Sequence, residues 1–261
     1  MTGGWTDRLA LNLFAAAMAA FLVLPIFAVV PAAFSQSSFI RLPPEAWSLR
    51  WWGVFLNDPS WRRALVKSIE VATWAAVVSV VAGTAAALAI ARLSGLARKL
   101  VLGLFVGPVV VPVIVLAVAL YAIARSMGMV GTTAGLVIAH TMLALPYVAL
   151  NVGVSLGALD PRLGQAAAGL GASPWRVFRT VTLPLIMPGV LGGAVFAFVT
   201  SFDEVVLSIF LAGPQVKTLP VRIWEEIRIE YTPVVAVAAT VMIALAIAAA
   251  AASRLFRRRS P

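Results

Sequence analysis

Four ionisable side chains interrupt otherwise apolar stretches of this 261-residue chain: Glu70, His140, Asp203 and Glu204. An ionised residue at the centre of a membrane helix costs roughly 2.5–3.5 kcal/mol on insertion scales. Such residues are therefore functional candidates by default. Three of the four can be anionic, which suits the capture of a cation. Counted from the ends of their stretches, all four are expected in the outer third of a bilayer. Each also has a plain structural explanation. Glu70 follows Lys67 by three residues, a helical pairing distance. A lone histidine is commonly a hydrogen-bonded core residue. Asp203 and Glu204 are adjacent, so on a continuous helix they would point about 100° apart and could not both face one cavity squarely.

Other chemistries find less support. His140 and Ser201 could be imagined as a base and a nucleophile. Ser201 is followed by Phe202 and Asp203, however, without the glycine-flanked turn of a nucleophile elbow. The chain has no cysteine, so it offers no thiolate nucleophile or thiolate metal site. It also lacks the G-x-x-x-x-G-K-[ST] loop that cradles phosphates. Any ATP and magnesium chemistry is therefore expected on a separate subunit, with no cofactor or metal on this chain. The net charge of +10 raises nucleic acid as a partner. The basic residues are scattered through short segments between apolar stretches, and Arg254, Arg257, Arg258 and Arg259 directly follow one. That pattern suits membrane anchoring rather than nucleic-acid binding.

The elements that must position these residues are membrane helices. The chain is 62% hydrophobic and 11% charged, whereas a soluble domain carries about 25% charged residues. Six stretches are long enough to cross the ~30 Å hydrocarbon core: about 9–33, 64–91, 100–122, 132–156, 185–210 and 234–255. Backbone groups in lipid must pair internally, so the expected class is all-α, with six transmembrane helices in one domain over 1–261. The first stretch exceeds the ~7–15 apolar residues of a signal peptide and is read as a retained helix. With the N-terminus inside, eleven of the twenty Lys and Arg residues fall on the inner side. That favours cytoplasmic N- and C-termini. The outer segment 34–63 holds Trp47, Trp51, Trp52 and Trp61, so part of it is expected flat at the interface. The outer segment 211–233 is amphipathic around 221–229 and reads as a short helix. Four glycine pairs are spaced four apart: Gly103/Gly107, Gly131/Gly135, Gly153/Gly157 and Gly189/Gly193. Each could seat a close helix crossing.

The inner connection 157–183 carries the strongest motif. Asp160 can cap a short helix beginning at Pro161 and running through Gln165 to Leu170. Gly171 suits a left-handed helix end. Ser173 can cap a second helix starting at Pro174. Residues 165–184, QAAAGLGASPWRVFRTVTLP, resemble the signature loop of binding-protein-dependent ABC importer permeases: E-A-A, three residues, G, nine residues, I-x-L-P. Ala166, Ala167, Gly171, Leu183 and Pro184 match at that spacing. Val181 replaces isoleucine, and Gln165 replaces the usual glutamate. The resemblance implies a type I importer permease fold whose coupling helix docks on an ATPase. It assigns Asp160, Gln165, Ala166, Ala167, Gly171, Leu183 and Pro184 to that coupling.

Ser201-Phe202-Asp203-Glu204-Val205-Val206, with Gly213-Pro214 and Thr218-Leu219-Pro220, is similar to the second permease of spermidine/putrescine-type importers. The implied system includes two ATP-binding cassette subunits, a second permease, a periplasmic solute-binding protein and the bacterial inner membrane. A polyamine is an elongated polycation, for which carboxylates and aromatic walls are the complementary chemistry. Ser201, Phe202, Asp203, Glu204, His140 and Glu70 are thus the candidates for the solute path. An ion-coupled secondary transporter stays open as an alternative, although the two halves show no repeat. So does another small organic solute carried by the same permease family.

Overall fold

In a computed structural model, residues 5–257 are described, except the side chains of 5–7, 25, 27 and 253–257. Arg258 and Arg259, and the side chains of Arg254 and Arg257, thus lie outside the described residues. The described chain is helical: α1 (Trp5–Ala32), α2 (Arg50–Asn57), α3 (Pro59–Ala91), α4 (Gly95–Val110), α5 (Val113–Ser126), α6 (Thr133–Gly157), α7 (Pro161–Gly169), α8 (Pro174–Val177), α9 (Leu183–Phe202), α10 (Val206–Leu211), α11 (Leu219–Ile229) and α12 (Val234–Arg257). Phe178–Thr182 form a π-helical turn between α8 and α9. Among the described residues, five helical runs are long and apolar enough to cross a membrane, and a bent pair makes a sixth.

The third stretch, expected as a span over about 100–122, is that bent pair. The chain turns by 101° between α4 and α5. Pro112 lacks an N–H to continue the helical ladder and disfavours helical geometry at Val111. Val111 is accordingly extended (ψ 134°). Pro108, four residues earlier, stays inside α4. The fifth span, expected over 185–210, is also interrupted: α9 ends at Phe202 and α10 begins at Val206.

The chain divides into two compact units. One comprises residues 1–62 and 223–244. Its α1 leaves apolar side chains such as Leu11, Phe14 and Phe21 exposed, as a surface bathed in lipid does. After α1, Ser48 N–H donates to the Phe34 carbonyl at 2.7 Å and Gln36 N–H to that of Ala46 at 3.0 Å, closing a loop. The amphipathic α2 follows, burying Trp51 and Phe55 while Trp47, just before it, stays exposed. Trp51 Nε1–H donates to the Ser37 carbonyl at 2.9 Å.

The other unit comprises residues 63–222 and 245–261. One core cluster gathers Ala144, Val148 and Val152 of α6 with Ile186, Val190 and Ala197 of α9 and with Ala76 and Ala87 of α3. A second gathers Leu136, Ala139 and Leu143 of α6 with Ala117 and Leu120 of α5 and Leu207 and Leu211 of α10. Only one of the four glycine pairs is a helix seam within the chain. A β-carbon on Gly193 would lie 2.9 Å from Val148 Cα, and one on Gly189 would lie 2.7 Å from the Asn151 carbonyl and strike the Ser155 side chain. Gly103, Gly107, Gly153 and Gly157 face open space, and Gly131 (φ 75°) serves a turn.

This contrast makes a stability prediction. Gly189→Val forces backbone off backbone and should cost about 1–3 kcal/mol, as overpacking does. Gly153→Ala should stabilise by about 0.5–1 kcal/mol through helix propensity alone. Thermal unfolding of the detergent-purified protein checks both signs, and equal midpoints for the two variants would contradict the seam.

Candidate functional site

The break between α9 and α10 brings the two acidic candidates to a corner. Asp203 forms the C-cap of α9, its N–H bonded to the Val199 carbonyl at 3.0 Å. Glu204 faces the other way along the chain: its Oε1 accepts from the Leu207 N–H at 2.9 Å and so caps α10. The corner separates their roles. Glu204 is half-buried and already used, whereas Asp203 is exposed. Among the described residues, no donor or cation answers the Asp203 carboxylate.

The remaining solute-path candidates are placed less openly. Glu70 pairs with Lys67 at 2.6 Å, and Lys67 Nζ also donates to Thr133 Oγ1 at 3.1 Å. Its charge is therefore already answered. His140, Ser201 and Phe202 are buried at 0%, 4% and 2% exposure, so none presents a surface to a solute in this conformation. Phe202 stacks on Phe198 with centroids 5.5 Å apart. His140 Nδ1 lies 2.8 Å from Ser201 Oγ and 3.1 Å from its carbonyl oxygen, and Nε2 lies 3.0 Å from Ser208 Oγ.

An aromatic pair escaped the sequence reading. Tyr147 of α6 stacks on Phe196 of α9, centroids 6.2 Å apart and planes 12° apart. Phe196 is exposed and precedes Asp203 by seven residues, two helical turns, so both lie on one face of α9 about 10 Å apart along its axis. The seven-residue spacing was the available signal. A stacked π-face and an unpaired carboxylate on one face form a surface that attracts cations twice over.

The connection 157–183 forms a second, distinct feature. Asp160 Oδ1 accepts from the Arg162 N–H at 2.9 Å, and Pro161 takes the first helical position of α7. At the other end Gly171 has φ 86°. Its N–H donates to the Ala168 carbonyl at 2.9 Å and that of Ala172 to Ala167 at 3.1 Å, the paired bonds of a Schellman ending. Ser173 Oγ then accepts from Arg176 N–H at 3.4 Å. The helix that follows is not a separate piece: residues 174–202 run continuously through the π turn into the fifth span, with Leu183 and Pro184 at its resumption. Gln165, Ala166 and Gly171 are exposed, Ala167 is half-buried, and Leu170 (91% exposed) and Trp175 are both exposed.

Residues 79–260 match the family of binding-protein-dependent transport system inner membrane components. The chain belongs to that family. It is similar to the spermidine/putrescine transport system permease protein PotC of Haemophilus influenzae, 31% identical over 95% of this chain and 96% of PotC. It is also similar to the putrescine transport system permease protein PotI of Escherichia coli, 30% identical over 85% of this chain and 82% of PotI. Among solved structures, a bacterial alginate ABC transporter in complex with its pentasaccharide-bound periplasmic protein matches with TM-score 0.74. The match covers 97% of this chain and 95% of that one, at 15% identity, a likeness of fold. This permease is thus a multi-pass inner-membrane transport component with the fold of ABC importer permeases, and not an enzyme.

Proposed function

We propose that this permease forms half of the pore of an ATP-driven polyamine importer, and that Asp203 is its cation contact on the solute path. The observation carrying this reading is the unanswered carboxylate at the corner between α9 and α10, on the same face as Phe196. A passing ammonium group could pair with the carboxylate while a second one, along an extended polyamine, met the Tyr147–Phe196 stack. The relatives named for spermidine and putrescine point to the same class of solute. Another small organic solute is the alternative.

The remaining parts follow from the reading. The permease acts as one domain with both termini cytoplasmic, paired with a second, distinct permease. A periplasmic binding protein delivers solute to the outer face. The exposed α7 and its Gly171 tip dock on one of two ATPase subunits, which hold the ATP and magnesium. Closure of those subunits pulls the coupling helices together and moves the pore between inward-facing and outward-facing states.

The test is uptake by the complex reconstituted with its co-purified subunits. ATP-dependent entry of spermidine and putrescine, with a neutral sugar excluded, is the expected result. Sugar entering as fast as polyamine would remove the assigned solute. Loss of uptake on collapsing the proton gradient at constant ATP would turn the reading toward an ion-coupled transporter.

A further inference from the structure

The corner that presents Asp203 is held by a residue buried away from solute in this conformation. We infer that His140 is a positioning residue for Asp203: its imidazole clamps the end of α9 to the start of α10 and so fixes where the carboxylate points. This inference rests on Asp203 lying on the solute path.

Three elements meet at one ring. His140 comes from α6, Ser201 from the last turn of α9 and Ser208 from α10. The chain between the two serines contains the whole break, Asp203 to Val205. A carbonyl oxygen can only accept, so the Nδ1 that lies 3.1 Å from the Ser201 carbonyl and 2.8 Å from its hydroxyl carries the proton. In the neutral ring Nε2 is then an acceptor, and takes the Ser208 hydroxyl proton at 3.0 Å. Both nitrogens are satisfied and the ring is fully buried. A buried polar group in low dielectric loses much when one partner is removed, which makes this clamp directional and rigid. Its bonds cross the break on both sides. The backbone alone bridges it weakly: Glu204 N–H reaches the Ser201 carbonyl only at 3.4 Å.

The alternative is a histidine that merely fills the core. The two differ in what moves when one hydroxyl is removed. Ser208→Ala takes away a single bond and leaves the packing in place, whereas His140→Leu removes the whole clamp. The chain contains no cysteine, so Asp203→Cys provides a single reporter at the corner. The experiment uses the complete transporter complex in proteoliposomes. The labelling rate of that reporter by a cationic thiol reagent is measured with His140 and Ser208 intact, with Ser208→Ala and with His140→Leu. With Asp203 restored, polyamine uptake is measured for the same variants and for His140→Asn, which keeps an amide toward Ser201.

Each lost hydrogen bond is expected to change the labelling rate by roughly fivefold or more, and His140→Leu by about tenfold or more. Half-saturating polyamine should rise with the same ranking while the yield of assembled Ser208→Ala complex matches the parent, and His140→Asn should recover part of the loss. Because His140→Leu also disturbs the core, Ser208→Ala carries the decision. An unchanged labelling rate in assembled Ser208→Ala complex would overturn the positioning role. The reading it rests on fails differently: Asp203→Asn would then transport normally, whatever the labelling shows.

Discussion

Gly171→Trp is expected to cut ATP-coupled uptake by about a hundredfold, while Gly171→Ala keeps it within about tenfold of the parent. The two variants separate backbone strain from bulk. Gly171 has φ 86°, so any L-residue there costs about 1–2 kcal/mol. Alanine therefore weakens the α7 ending and little else. A β-carbon at this position meets nothing within 4 Å of its own chain. The extra loss from an indole must then come from something outside the chain that needs a shallow tip, since a packed interface tolerates no added ring at its centre. Uptake per ATP hydrolysed, measured on assembled complex, is the deciding quantity. Equal coupling for the two variants would mean that α7 seats in no partner, and the coupling assignment of Asp160 to Pro184 would fall with it.

How far the sequence exposed these features depended on how local their causes were. The ends of α7 and the start of α8 were legible because each is written within a few residues: Asp160-Pro161, Gly171, Ser173-Pro174. The spans were legible because 62% hydrophobicity gathered into long stretches leaves helices in lipid as the only fold class. Two breaks were not. Pro108 and Pro112 look alike in a hydropathy window, yet one sits inside α4 and the other marks a 101° bend. Val206-Leu207-Ser208-Ile209-Phe210 resumes an apolar pattern so soon after Glu204 that the window averages across the corner. Treating 185–210 as one helix then placed the two carboxylates about 100° apart on a single cylinder. The break instead gives each its own task, Glu204 as a cap and Asp203 as an open charge. His140 and Ser201 were singled out, but the bond between them joins residues 61 apart, and no local pattern encodes that. The same holds for Tyr147 and Phe196, and for the choice of Gly189/Gly193 as the one helix-on-helix seam among four equal-looking pairs.

The last prediction follows from that division of labour at the corner. Asp203→Asn is nearly isosteric and keeps the backbone bond to Val199, so assembly should survive. It removes a charge-assisted partner, worth about 1.5–3 kcal/mol when the other group is an ammonium. Polyamine uptake should therefore fall by roughly 10- to 100-fold, each 1.4 kcal/mol being tenfold. Glu204→Gln should do less, because its amide oxygen still accepts from Leu207 N–H and the corner keeps its shape. Phe196→Leu should lose less than Asp203→Asn as well, since an exposed cation–π contact is worth about 0.5–1 kcal/mol. Glu204→Ala, which does remove the cap on Leu207 N–H, distinguishes a solute contact from general damage: a merely destabilised corner would suffer most there, whereas a cation site suffers most at Asp203. Initial rates of spermidine and putrescine uptake in proteoliposomes read that order. Parent-like rates for Asp203→Asn would take this carboxylate off the path and leave the apolar pore without its cation contact.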